Sequence, residues 1–234
     1  APVGPVSGAL CLGDIGKGRM SHEDMIITAV ALSGKGALTQ LVDKKLTVVL
    51  GPCSEPIDTV RTITNRSSGA LGIAIAKVAQ IYGAKVTVIS SVSVSEDYGF
   101  ESIRNFTSYS DLSEELLVKG VDYDVLYMAA AVSDFVPSPS TEKWERSDQS
   151  RAVELAPTQD ILAALGEKKA ESQSLIGFCL AESEGLVATA KSKLQKKNCD
   201  YIVANTAESI GAEQRTVHIV SKSGKLESVE QASV

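Results

Sequence analysis

The chain has 234 residues, of which 44% are hydrophobic, and a formal net charge of −6 at pH 7. That length and apolar fraction suffice for a substantial core in one domain with a short extra arm. The acidic balance excludes a general nucleic-acid or anionic-membrane surface, and no apolar run approaches the ~20 residues of a membrane helix. No signal peptide is recognisable. Cys11, Cys53, Cys179 and Cys199 are widely spaced without a C-x-x-C pair, and His22 and His218 are the two histidines. This spacing excludes a recognisable zinc site and fits reduced thiols, so no metal ligands are assigned and a cytoplasmic location is expected.

Residues 1–43 read as an appendage. The chain begins with Ala, as an excised or processed fragment would, and Gly4, Gly8, Gly13, Gly16 and Gly18 punctuate its first twenty residues. Such a run builds no core of its own and is expected to be mobile or docked on something else. Ser21 with Glu23-Asp24 ahead of an apolar run then marks a helix start and a linker to residue 43.

Leu46 to Leu50 is an apolar, β-rich run stopped by Gly51-Pro52, as in a central strand of a parallel sheet. A long polar excursion follows, and then a helix opening at Ser67-Ser68-Gly69. Leu71, Ile75, Val78 and Tyr82 recur at helical spacing and are expected to face the core. The G-x-G-x-x-G turn of dinucleotide folds is absent. In its place Glu55, Asp58, Arg61, Asn65 and Arg66 are delivered just ahead of the helix. Ser67 or Ser68 is expected to cap that helix, and its free amides and positive dipole end form an anion site. Locally, the same residues also fit an ordinary capped loop with solvated charges.

Lys85–Ser90 is a second strand, residues 102–106 a short one, 110–120 a helix and 124–130 a third clear strand. Strands alternating with helices predict an α/β fold, a Rossmann-like, doubly wound, mostly parallel sheet with ligands beyond the carboxyl ends of its strands. Ala129-Ala130-Ala131 would let a ligand approach the backbone, and Asp134 could bond an amino group or ribose hydroxyl, or simply cap the strand. Residues 136–151 carry Pro, Ser and mixed charge without an apolar period and are read as a lid loop beside that end of the sheet. Further strands are expected at 175–180, 199–206 and 216–221, with a helix over 184–197 whose lysines suit its C-terminal end.

The stretch EPIDTVRTITNRSSGALG (55–72) closely resembles the E-x-I-D-x-V-R-x-I-x-N-x-S-S-G-x-x-G signature of phosphopantothenoylcysteine synthetase, the ligase of coenzyme A biosynthesis. AAAVSDF (129–135) and DYIVAN (200–205) resemble further motifs of the family, in colinear order over roughly residues 44–230. PVSGALCLGDIGKGRM (5–20) is similar to the segment that closes the decarboxylase half of the bifunctional family members, with Leu12 where that segment carries its cysteine and Cys11 just before. The resemblance therefore implies two parts: a decarboxylase remnant with linker over 1–43, without decarboxylation by this chain alone, and a nucleotide-binding synthetase domain over 44–234. The family usually has one more helix beyond the position of Val234.

By resemblance, the reaction joins 4′-phosphopantothenate to L-cysteine at the expense of CTP, through an acyl cytidylate, with Mg²⁺. Asn65 is the residue implied at the acyl phosphate, with Arg61 and Lys143 as further catalytic candidates. Ser67, Ser68, Gly69 and Lys143 are assigned the triphosphate, and Ala130, Ala131, Asp134 and Phe178 the rest of the nucleotide, with core filling as the alternative for Phe178. Arg61 is alternatively an ion-pair partner of Asp58 or Glu55. The lid departs from the family in carrying Glu145 where a lysine is usual, and one extra residue precedes Ala181-Glu182. ATP in place of CTP stays open, as do two other readings: nucleotide binding without turnover and an NAD(P)-dependent reductase. The latter is disfavoured by the missing glycine fingerprint and the lack of a Tyr-x-x-x-Lys pair. A homodimer and a fused decarboxylase half are the expected protein partners, with no nucleic acid and no membrane.

Overall fold

The computed structural model describes residues 4–10, 14–33, 40–182, 184–206 and 215–232. The first elements are β1 (Val6–Ala9), β2 (Ile15–Arg19) and α1 (Glu23–Ser33). Then come β3 (Lys45–Pro52), β4 (Ser54–Pro56), β5 (Thr62–Thr64), α2 (Ala70–Ile81), β6 (Lys85–Ser90) and β7 (Ser102–Asn105). A helix α3 (Tyr109–Ser113) that continues as a π-helical turn over Glu114–Val118 leads to β8 (Val125–Ala131), β9 (Phe135–Pro137) and β10 (Leu155–Pro157). The chain continues through α4 (Ile161–Lys168), β11 (Ser174–Ala181), α5 (Leu186–Lys196), β12 (Tyr201–Thr206), β13 (Arg215–Ser221) and β14 (Leu226–Ala232).

Eight strands form one sheet in the order β14-β13-β12-β11-β8-β3-β6-β7. From β7 to β12 the pairing is parallel, and β13 and β14 extend it antiparallel. Numbered by their appearance, the parallel strands lie 3-2-1-4-5-6, the doubly wound order, and the winding reverses between β3 and β8. The fold class expected from the alternation of strands and helices is the one observed. Among the described residues no helix is long and apolar enough to cross a membrane.

Both faces of β3 are buried, which its unbroken apolar run requires. Val49, with Ile89, Leu126 and Leu175, packs against residues of α3, α4 and α5 on one face. Leu46, Val48 and Leu50 pack with Val86 and Val88 against α2 on the other.

The core-facing side of α2 differs from the expectation. Gly72, Ala76, Ala79 and Ile81 are the buried residues, whereas Leu71, Ile75 and Tyr82 are half-buried and Val78 is exposed. The reason is proximity: a Cβ on Gly72 would lie 2.4 Å from the Cβ of Leu50. The helix rides so close to β3 that only small residues fit between them. The bulky stripe is turned to the flank, where it lines a cavity of about 320 Å³ with Leu41, Leu46 and Tyr127.

The amino-terminal segment is docked on this domain. Strands β1 and β2 form an antiparallel hairpin, Val6 is buried in van der Waals reach of Gly99, and Arg19 pairs with Asp97 at 2.7 Å. Met25 and Ala29 of α1 are buried with Ile81 and contact Tyr98. Cys11 and Leu12, on which the comparison with the decarboxylase segment turns, lie outside the described residues, as does Gly13.

The contact between Gly72 and Leu50 yields a stability prediction. Alanine in a helix interior ordinarily gains up to ~1 kcal/mol over glycine, but here the added methyl meets an atom that no side-chain rotation removes. Gly72→Ala is expected to destabilise the fold by about 1–3 kcal/mol, the usual cost of overpacking. Urea unfolding measures it, and a variant as stable as the parent would contradict this packing.

Candidate functional site

The site is built where the winding of the sheet reverses. Gly51 and Pro52 at the end of β3 stand beside Ala130 and Ala131 at the end of β8. Beyond that point the chain does not turn directly into a helix. It makes the antiparallel β4–β5 hairpin, which accounts for the long polar excursion between strand and helix. Glu55 on β4 is buried, and its carboxylate accepts the Tyr109 N–H at the start of α3 at 2.9 Å. The first glutamate of the motif thus anchors the hairpin to the next helix.

The returning arm of the hairpin brings Asn65 to the switch point. The carbonyl of Ala131 accepts the Cys53 N–H at 3.0 Å and the Asn65 carboxamide N–H at 3.1 Å. Residues 66 positions apart are thereby joined at the mouth of the crevice. Next come Ser67, whose N–H bonds the Asn65 carbonyl at 3.0 Å, and Ser68, whose hydroxyl accepts the Ala70 N–H at 3.3 Å.

The cap of α2 is Gly69 and not a serine, with φ 74° and no side-chain cap bond. A left-handed residue without a side chain is required there, because a Cβ would lie 2.8 Å from Val92 Cγ2 and 3.0 Å from Leu50 Cδ1. The first intrahelical bond runs from Ile73 N to Gly69 O. The amides of the preceding turn therefore lie at the positive end of the helix dipole, next to Asn65 and the Ala130-Ala131 backbone.

Arg61 is placed differently from the other predicted site residues. Its guanidinium pairs with the carboxylate of Asp58 and donates to the Trp144 carbonyl at 3.1 Å. Asp58, 3% exposed, also accepts the N–H groups of Val60 at 2.8 Å, Arg61 at 2.7 Å and Trp144 at 3.0 Å. A further backbone bond, Ser140 N to Ile57 O at 2.8 Å, ties the same turn to the loop after β9. This loop is the expected lid. Its base is a strand pair, β9 with β10, so Val136 and Pro137, assigned to the loop, lie in a strand, and the loop runs on to residue 154. Lys143 is exposed on it, one residue before Trp144.

Asp134 is exposed just after β8, and its carbonyl accepts the Thr158 N–H at 3.0 Å. The Thr158 hydroxyl also donates to the Ser133 carbonyl at 2.8 Å. Phe178 lies half-buried on β11, one position past the pairing of Gly177 with Met128. The structure thus brings Asn65, Ser67, Ser68, Gly69, Ala130 and Ala131 together, sets Asp134 and Phe178 on neighbouring segments, and joins Arg61 to the lid that carries Lys143.

The ion pair of Arg61 with Asp58 is the alternative that the sequence leaves open for Arg61, whereas the hold of Asp58 on Trp144 and the part of Thr158 are not evident there. An aspartate two and three residues ahead of amides it can accept is a recognisable turn signal, and it was available at Asp58. Thr158 offers no such signal.

Cys53 lies at the foot of the site and is fully buried. Burial pushes its thiol up to about 11, with the Glu55 charge adding to the effect. It therefore stays protonated at neutral pH and is no nucleophile. Among the described residues no group of three or more His, Cys, Asp or Glu is placed to hold a metal ion. A cavity of about 670 Å³ lies elsewhere, between the amino-terminal hairpin and the β7 edge, and none of the predicted site residues lines it.

Residues 41–233 match the family model described as the DNA/pantothenate metabolism flavoprotein C-terminal domain. The chain belongs to this family. It is 37% identical over 211 residues to the coenzyme A biosynthesis bifunctional protein CoaBC of Bacillus subtilis (strain 168), covering 89% of this chain and 52% of that protein. It is 36% identical over 238 residues to a cysteine/cysteine sulfinic acid decarboxylase of an unknown prokaryotic organism, covering 97% of this chain and 65% of that protein. The chain thus spans between half and two thirds of the length of these curated relatives.

The crystal structure of the C-terminal domain of a coenzyme A biosynthesis bifunctional protein CoaBC superposes with a TM-score of 0.68 at 30% identity. That match covers 83% of this chain and 90% of the other. The resemblance to phosphopantothenoylcysteine synthetases carried by residues 55–72 is in this way met over the whole domain.

Asp58 also sets an acid limit. Burial alone would raise its pKa, but the N–H groups of Trp144, Arg61 and Val60 and the Arg61 guanidinium outweigh burial and hold it well below the usual carboxylate range. A depressed native value means that the unfolded chain binds the proton first. The contribution to stability is therefore complete above the unfolded value of about 3.9 and is lost as the pH falls from there through the native value. The difference in Tm between the parent and Asp58→Asn is expected to be constant from pH 8 to 5 and to shrink below pH ~4. A gap that does not narrow in acid would contradict this role.

Proposed function

We propose that this chain is the ligase that joins 4′-phosphopantothenate to L-cysteine using CTP, in the cytoplasm, as a step of coenzyme A biosynthesis. The observation that carries the reading is the placement of Asn65 against the Ala131 carbonyl at the switch point, beside the amides that open α2. A carboxylate is a poor acyl donor and needs activation. In the proposed reaction a phosphopantothenate carboxylate oxygen attacks the α-phosphorus of CTP, and pyrophosphate leaves. The cysteine amine then attacks the acyl carbon, loses a proton and expels CMP as the amide forms.

No protein nucleophile is needed for either step, in keeping with the protonated state of Cys53. What the protein has to supply is positioning and stabilisation of charge on phosphate oxygens. The amides of Ser68 and Gly69, with the Ser67 hydroxyl, would meet this demand from the helix terminus, and Lys143 would meet it from the lid. Asn65 would hold the acyl phosphate. Ala130 and Ala131 would offer backbone groups to the nucleotide, with Asp134 and Phe178 on either side.

Mg²⁺ would neutralise developing charge on the phosphates. An ion of this kind keeps several of its waters and is carried by the substrate phosphates. ATP remains a possible substitute for CTP, because a base read through backbone geometry is weakly discriminated. A homodimer is part of the proposal, as is a decarboxylase half in a longer polypeptide, in line with the extra length of the relatives.

Nucleotide binding without turnover is favoured by one observation: Glu145 lies exposed on the lid, two residues from Lys143, and weakens its positive field. The test is Asn65→Asp. Aspartate cannot donate to the Ala131 carbonyl, and it adds a charge where phosphate oxygens would sit. Formation of the cysteine amide is expected to fall by about 100-fold or more, the scale of losing one charge-stabilising donor. Because Asn65 is exposed, the Tm should stay close to that of the parent. Equal turnover in the variant would refute the assignment.

A further inference from the structure

Besides the Ser140 N to Ile57 O bond near its start, the lid is tied to the β4–β5 turn at Trp144, and that tie is a buried carboxylate rather than an apolar contact. Of the residues on the β4–β5 turn, Asp58 alone among those bonded to the lid is nearly inaccessible to solvent. Its Oδ1 is filled by the amides of Val60 and Arg61, which fix the shape of the turn. Its Oδ2 receives the Arg61 guanidinium and the Trp144 amide. The other end of the same guanidinium bonds the Trp144 carbonyl at 3.1 Å. Both polar groups flanking Trp144 in the backbone are thus held by one ion pair. The indole ring is covered in turn by Arg151, whose guanidinium carbon lies 5.0 Å from the ring centroid. Asp58 and Arg61 of the turn are thus joined to the Trp144 backbone, 86 positions from Asp58, by charge-assisted hydrogen bonds.

We infer that Asp58 is a positioning residue: with Arg61 it latches the lid at Trp144 and so holds Lys143 where it meets the phosphates of the nucleotide. The inference rests on the reading of Lys143 as a phosphate contact. It also gives Arg61 a defined task, to bridge the carboxylate and the lid. A latch of this kind changes the fraction of molecules whose lid is ready, and the apparent affinity for nucleotide falls in proportion to that fraction. Once nucleotide is bound it pulls the lid down itself, so the rate at saturation is spared. Loss of Asp58 therefore raises KM for CTP and leaves kcat nearly unchanged. Loss of Lys143 removes the contact itself and lowers kcat.

Trp144 is the one tryptophan of the chain, so its fluorescence reports the lid directly, independent of any turnover. The experiment compares the full chain with Asp58→Asn and, as a variant at a half-exposed side chain that leaves the turn's own amide bonds in place, Arg61→Gln. Acrylamide quenching of Trp144 and trypsin cleavage at Lys143, Arg146 and Arg151 are followed without ligand, and KM and kcat for CTP with phosphopantothenate and cysteine. Quenching and cleavage are expected to rise in both variants, more in Asp58→Asn, and in Asp58→Asn the KM for CTP is expected to rise about tenfold with kcat within about twofold of the parent.

Quenching and cleavage equal to the parent in both variants would overturn the latch. Faster quenching with an unchanged KM would overturn its positioning role. A parent chain that turns over no substrate would instead refute the ligase reading, and the fluorescence and proteolysis would still decide whether Asp58 holds the lid.

Discussion

The carbonyl of Ala131 is the acceptor on which the site depends. It takes the Cys53 N–H from the strand that has just ended and the Asn65 carboxamide from the hairpin arm that returns. The excursion between strand and helix, residues 53–69, would otherwise be less tightly held over the sheet end. Fixing Cys53 and Asn65 to one backbone oxygen makes the hairpin between them a wall of the crevice. The register of β3 against β8, with Pro52 beside Ala131, delivers that oxygen to the right height, and the close seat of α2 on Leu50 delivers the helix terminus beside it.

From that constraint the division of labour in the motif follows. Glu55 holds the hairpin to α3, and Asp58 with Arg61 holds it to the lid. Asn65 and the Ser67-Ser68-Gly69 turn face the crevice. Two buried carboxylates, each accepting from N–H donors, place the groups proposed to meet substrate. Buried charge of this kind is costly unless fully bonded, and Asp58 shows the required complement on both oxygens. The chemistry proposed for the site is likewise electrostatic: amides at a helix terminus, a lysine on a lid and a carboxamide, which would act on phosphate and acyl oxygens.

Much of this was legible in the sequence because the signals were local. The parallel sheet could be read from β3, β6, β8 and β11, each an apolar run bounded by turn residues, and the helix terminus at Gly69 from the Ser-Ser-Gly turn. The face of α2 could not. Periodicity marks Leu71, Ile75, Val78 and Tyr82 as a stripe, yet the seat on β3 is chosen by steric approach, which selects Gly72, Ala76 and Ala79 instead. Strands β4, β5 and β9 are three residues each, too short for alternation to register. β14 mixes Leu226 and Val229 with polar residues at the outer edge, where little burial enforces a pattern. The partnership of Asp58 with Trp144 spans 86 residues, and only three-dimensional proximity reveals it.

The most direct test of the central claim is pyrophosphate release by the full chain with Mg²⁺ and 4′-phosphopantothenate, CTP against ATP, before cysteine is added. Activation of the carboxylate on the nucleotide predicts release that requires phosphopantothenate, needs no cysteine for a first turnover and is faster with CTP. Release independent of phosphopantothenate, or none from a folded chain that still binds CTP, would contradict it.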